Sequence, residues 1–167
     1  SMSPSKYDYR VRAVHCHHRA DEEAVYHALR RATEPLDRAW AKLRAADTIA
    51  IKFNQDYDTD QLVTFKGQRQ QLVSDRVARA VLRILREETD AALVCLDTSH
   101  FAVDTRQGSR ETTQLLPVLQ AFDVAYVNAD APPYAVHRVP GGGLMFDQYL
   151  LPSRALEADA VVDVQKL

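Results

Sequence analysis

A chain of 167 residues with 46% apolar and 26% charged side chains has ordinary globular composition. Its length favours one domain, able to bury roughly 70% of the surface that the unfolded chain exposes. With 21 basic and 23 acidic residues the net charge is −2, so the basic footprint of a nucleic-acid binder is missing. The two cysteines, Cys16 and Cys95, are too few for a disulfide scaffold or for an iron–sulfur cluster held by this chain alone. No uninterrupted apolar run reaches the roughly 18 residues that cross a membrane. Residues 1–6 carry no apolar signal region and read as a tail or cloning scar. A cytoplasmic protein is expected, with a removed leader left open.

Residues 7–16 alternate Tyr9, Val11 and Ala13 against Arg10, Arg12 and Val14, the period of a strand. Asp21 suits an N-cap, and Glu22 and Glu23 favour the positive end of the helix it opens. Val25, Ala28, Leu29 and Ala32 then keep helical period. Pro35 suits the first turn of a continuing segment, whose stripe is Leu36, Ala39, Trp40 and Leu43. "TIAIKF", residues 48–53, is a short apolar run fit for a buried strand. A polar loop over 54–73 follows, and loops of that length are usually functional or disordered. Ser74 caps the next helix, with a buried face of Val77, Ala80, Val81, Ile84 and Leu85. "ALVCLD", residues 92–97, is the next buried strand, and a second long loop covers 98–110. Residues 111–122 read as a helix weakened by Pro117, and "VAYVN" at 124–128 as a strand. "YAVHRV" and "LMFDQYL" flank Pro140-Gly141-Gly142-Gly143, which predicts a hairpin. One helical turn in "LPSRALEAD" and a last strand, "AVVDV", complete the chain.

Strands alternating with helices predict an α/β fold: a mostly parallel, Rossmann-like sheet covered by helices on both faces, with a C-terminal β-hairpin, in one domain over 7–167. Such sheets bind ligands beyond the carboxyl ends of their strands. Those ends are residues 15–19, 52–56, 97–100 and 128–130, and polar residues collect at each.

Three stretches in order carry a resemblance to a known family. "IAIKFN" (49–54) is similar to the I-K-P-N strand end of the domain-of-unknown-function 362 family. "RVARAVLRILREE" (76–88) resembles the helix that follows it there, and "ADAVVDVQKL" (158–167) the later A-D-x-V-I-N-V-P-K-L strand. Phe53 stands where the family has proline, Val73-Ser74-Asp75 where it has threonines and a proline, and Asp163 and Gln165 where it has Asn and Pro. The family's segment continues past K-L, so the chain reads as the amino-terminal portion of a longer domain or as a divergent short member. The resemblance implies an α/β fold and little about reaction. Some members carry ferredoxin-like cysteine clusters, which this chain lacks.

The candidate site residues lie at the strand ends. Strand alternation puts His15 and His17 on one face, where they can chelate a divalent metal, and turns Cys16 into the core. No recognised metal-ligand spacing accompanies them. Lys52, Asn54 and Asp56 end a buried strand with a cation, an amide and a carboxylate. Lys52 can hold an anion or act as a base, and Asn54, on the same face, can donate to an oxyanion. Asp97 and His100 follow at the next strand end as candidate base or metal ligands. Ser99 beside His100 lacks a nucleophile elbow, and "PGGG" lacks the pattern of a phosphate loop. Lys66, Arg69, Arg106 and Arg110 can bind an anion from the two long loops, although loop charges are usually solvated.

Two readings follow. One is an enzyme domain that takes a small anionic molecule, with or without a divalent metal, using Lys52, Asp97 and His100 catalytically and Lys52, Asn54 and Asp56 for binding. The other is a non-catalytic module that needs a second copy or the remainder of its domain.

Overall fold

A computed structural model describes residues 11–55, 62–98 and 113–166. The order of elements is α1(Glu22–Thr33), α2(Asp37–Arg44), β1(Thr48–Phe53), β2(Thr64–Phe65), β3(Gln68–Arg69), α3(Asp75–Glu88), β4(Ala92–Asp97), α4(Leu116–Ala121), β5(Ala125–Asn128), β6(Tyr134–Arg138), β7(Gln148–Pro152), α5(Ser153–Leu156) and β8(Ala160–Val164). Four strands form an all-parallel sheet in the order β5-β4-β1-β8, the expected Rossmann-like arrangement, and β6 and β7 form the expected antiparallel hairpin.

Strand β1 sits inside the sheet, paired with β4 on one side and β8 on the other. Both of its faces are therefore buried, which is why it reads as a continuous apolar run. Ile49, Ile51 and Phe53 face one side, with Leu93 and Cys95 from β4. Against them pack Tyr26 of α1, Trp40 of α2, six buried positions of α3, and Val118 and Leu119 of α4. The other face is thinner: Ala50, Val94 and Leu96 are covered by Ala155 and Ala158, in and just after α5. Helices lie on both faces as expected, four on one and a single four-residue turn on the other.

Local chemistry sets the helix starts. The Asp21 carboxylate accepts from the Ala24 N–H at 2.8 Å and the Ser74 hydroxyl from the Val77 N–H, each using a first-turn donor that has no partner within the helix. Pro117 stands in the first turn of α4, where its missing N–H costs nothing. The helix accordingly starts at Leu116 rather than 111, and Thr113 to Leu115 precede it as bridge and turn. The loop after β1 is not wholly irregular: β2 and β3 form a small hairpin within it. Lys66 and Gly67 at its tip both have positive φ, the requirement of a type I′ turn. In the β6–β7 hairpin the strands stop at Arg138 and start at Gln148. "LMF" (144–146) is therefore loop rather than strand, with Gly141 and Gly142 at positive φ in the turn.

The first expected strand does not form over its described residues. Residues 11–16 form no strand: the sheet's places are taken by β5, β4, β1 and β8, and Val11 is 92% exposed. Alternation describes a strand only where a neighbour offers an edge to pair with.

Outside the core, α1 and α2 are tied to the end of α3 by a charged network. The Tyr26 hydroxyl donates to Glu87 at 2.5 Å, Arg30 bridges Glu87 and Glu88, Arg44 donates to Glu88 at 2.6 Å, and the Arg83 guanidinium lies 3.8 Å from the Tyr26 ring centroid. The hydrogen bond from Tyr26, with help from Arg83 and Arg30, holds the Glu87 carboxyl below its usual range. Arg44 and then Arg30 do the same for Glu88. A depressed carboxylate contributes stability that is present above its unfolded value, near 4.3, and is lost as pH falls through its folded value. Chemical denaturation from about pH 5 down to pH 3 is therefore expected to show falling stability that is flattened in Glu87→Gln/Glu88→Gln; equal slopes for variant and parent would contradict the network's role. Ser74→Ala is expected to cost about 1 kcal/mol in the same assay.

Candidate active site at the carboxyl edge of the sheet

Beyond β4 the chain passes to the α3–α4 side, where Leu115, Val118 and Leu119 join the larger core. Beyond β5 it passes to the opposite side, where α5 covers Ala50, Val94 and Leu96. These two strands are neighbours, with Asp97 in register with Asn128. In the order β5-β4-β1-β8 the succession reverses between β1 and β8, the point where doubly wound sheets place ligands, so Lys52 at the end of β1 borders it and Asp97 lies one strand further in.

Asp97 closes β4 at this edge. It is 4% exposed, and the Lys52 ammonium reaches it at 2.8 Å from the end of β1. The carboxylate also accepts from its neighbour's backbone, the Thr98 N–H at 2.9 Å, and from the Gln55 N–H. The Lys52 ammonium donates as well to the Phe53 carbonyl at 2.9 Å. Burial raises the Asp97 carboxyl above its usual value, and Lys52 together with the two backbone donors pulls it part of the way back. Desolvation and a single positive partner working against each other are characteristic of groups that exchange protons. A cleft of about 190 Å³ opens beside the pair, lined by Lys52, Leu96, Asp97, Ala129, Pro152 and Ala155 among others. It admits only a small molecule.

Gln55 was not singled out by sequence reasoning, yet it is fully buried beneath the pair. Its side-chain amide donates to Cys95 Sγ at 3.0 Å, its side-chain oxygen accepts from the Thr113 hydroxyl, and its carbonyl accepts from the Gln114 N–H at 3.0 Å. A glutamine just past a strand end carries no periodic signal, so pattern reasoning had no means of finding it. Gln55 fixes the backbone N–H that Asp97 uses. Burial pushes the Cys95 thiol up to about 12, which makes it an inert core group.

The expected site residues divide accordingly. Lys52 and Asp97 come together. Asn54 is half-buried just beyond Lys52, with its N–H donating to the Val164 carbonyl and its carbonyl accepting from Val73, so its main chain extends the β1–β8 ladder. Asp56 and His100 lie outside the described residues, as do Ser99, Arg106 and Arg110. His15 and His17 are not brought to the pair. Both are exposed in an irregular segment, and without a strand they share no face by alternation. The His17 ring instead lies 4.4 Å from that of His18, with its Nδ1 accepting from the Arg19 N–H. Cys16, expected in the core, is exposed for the same reason. Among the described residues no group of three or more His, Cys, Asp or Glu side chains is placed to hold a metal ion, and no helix is long and apolar enough to cross a membrane.

No protein-family model matches the chain, and no curated protein or solved structure matches it either.

Two outcomes are expected. Lys52→Met removes the group that pulls Asp97 down, so Asp97 followed by carbon NMR should titrate higher still in the variant. Stability at neutral pH should fall by about 1–3 kcal/mol, less than for a fully buried pair because the Lys52 side chain is 39% exposed. The loss should shrink as pH falls through the raised Asp97 value and the unpaired carboxylate takes up a proton. An unmoved Asp97 titration would contradict the pairing. Separately, alkylation of the native protein should label Cys16 and spare Cys95 until the fold is opened; equal labelling would place both thiols wrongly.

Proposed function

We propose that this chain is the α/β domain of an enzyme acting on a small anionic molecule, with Lys52 and Asp97 as its reacting pair. The observation that carries the reading is the buried, raised carboxylate of Asp97 paired with Lys52 at the carboxyl edge of the sheet. An ammonium has three donors, and Asp97 and the Phe53 carbonyl use two. The third serves a carboxylate or phosphate oxygen of the ligand. Asp97, its carboxyl raised by burial, is the proton acceptor of the pair. It takes a proton from the ligand while Lys52 steadies the charge that develops.

The resemblance to the domain-of-unknown-function 362 family fits this reading. Its three stretches correspond to β1, α3 and β8, and β1 and β8 are hydrogen-bonded neighbours. Phe53, where that family has proline, fills the centre of the core. We hold the relationship as a proposal.

Thermal-shift screening against small carboxylic and phosphorylated acids supplies the test. For at least one ligand class, Lys52→Ala and Asp97→Asn should each weaken binding about tenfold or more, the scale of one charge-assisted hydrogen bond. Ligand affinity and turnover untouched by Lys52→Ala would sink the proposal.

A second reading, a module that assembles with a second copy or another chain, draws on the β6–β7 hairpin. Val136, Leu144, Met145 and Leu150 are all more than half exposed there, and an apolar patch of this kind is typical of interfaces. A clean monomer by size-exclusion chromatography, with no binding of a dye for exposed apolar surface, would count against it.

A further inference from the structure

On the face of the sheet opposite Lys52, a second cavity of about 420 Å³ opens at the same carboxyl edge, between the start of α3, the β2–β3 hairpin and the residues after β8. Val25 and Val77, both packed against the larger core, form its apolar wall. Three cations line it: Arg69, Arg76 and Lys166. Arg69 is neutralised by Asp75 and also reaches the Gln114 carbonyl at 3.4 Å. The other two are held by neutral groups only. Arg76 donates to the Ala20 carbonyl, and Lys166 to the Arg69 carbonyl at 2.6 Å. Among the described residues neither has a carboxylate partner. Two half-buried positive charges, fixed in place by backbone carbonyls and facing one cavity, lack the counter-charge that such groups ordinarily find.

We infer that this cavity binds a phosphate-bearing small molecule, with Arg76 and Lys166 as the residues that hold the phosphate. The guanidinium offers planar paired donors and the ammonium a compact charge with rotatable donors, so the two suit different oxygens of one phosphate. The volume exceeds what a lone phosphate fills, and the lining, which includes His17 and His18, leaves room for the rest of an organic phosphate. This site goes beyond the Lys52–Asp97 reading and does not depend on it. Its residues come from segments around 17, 69, 76 and 166, which no local motif connects.

Calorimetric titration of the full chain with inorganic phosphate, glycerol 3-phosphate and adenosine monophosphate, with acetate as the carboxylate control, tests it. At least one of the three phosphates should bind, and more tightly than acetate. With all measurements made in a Lys52→Ala background, which removes the other anion site, Arg76→Gln/Lys166→Gln should weaken that binding by about tenfold or more and the exposed Lys42→Gln should leave it unchanged. Lys166→Gln alone, outside every helix and strand, should show a smaller loss in the same direction and guards against misfolding of the double variant. Absence of binding for all three phosphates overturns the inference. So does equal affinity in the double variant, or acetate binding as tightly as the phosphates. Phosphate binding present in the parent but wholly lost in Lys52→Ala overturns it too, by moving the ligand to the other face.

Discussion

Ile49, Ile51 and Phe53, alternate residues of β1, are fully buried against α3, and the rest of the molecule is arranged around that contact. A parallel strand with neighbours on both sides has its backbone satisfied only within the sheet, and its side chains must be covered above and below. One cover is substantial, four helices joined by a charged network. The other is a single short helix over Ala50, Val94 and Leu96. The small size of the second cover leaves the cleft beside Lys52, and the bulk of the first leaves the basic cavity at the start of α3. Both openings are at the carboxyl edge because all four strands point the same way.

Burial explains the chemistry at that edge as well. Asp97 ends a strand whose other positions are nearly all apolar, so its charge is kept by donors brought to it, among them Lys52 from β1 and the backbone of Gln55 and Thr98. Gln55 in turn is held by Cys95, Thr113 and Gln114. The arrangement couples the two central strands and the approach to α4 through one carboxylate. A buried polar network of this kind is stable only when its members are satisfied, and Asp97 and Gln55 each find several partners.

Much of the fold was legible because it rests on local periodicity. The apolar runs of β1 and β4, the stripe of α3, and the caps Asp21 and Ser74 all follow from short-range rules. Proximity of Lys52 and Asp97 was legible at the coarser level of adjacent strand ends. Three features were not. The alternation of residues 11–16 imitates a strand, but alternation carries no information about a free pairing edge, so His15, Cys16 and His17 were placed by a rule that did not apply. Pro117 was read as a weakness inside a helix when it stands in the first turn. Gln55 and the cavity of Arg76 and Lys166 depend on contacts between residues far apart in the chain, such as Gln55 with Thr113, 58 positions away, and Lys166 with Arg69, 97 positions away, which a one-dimensional pattern does not encode.

The central claim is that ligands meet this protein at the carboxyl edge of its sheet. Amide chemical-shift mapping during titration with a mixed set of small carboxylates and phosphates tests it most directly. Perturbation concentrated at residues 52–55, 73–77, 96–98 and 128–130 is the expected result. Perturbation centred on the opposite edge, around Thr48, Ala92 and Ala160, or on the β6–β7 hairpin alone, would contradict it.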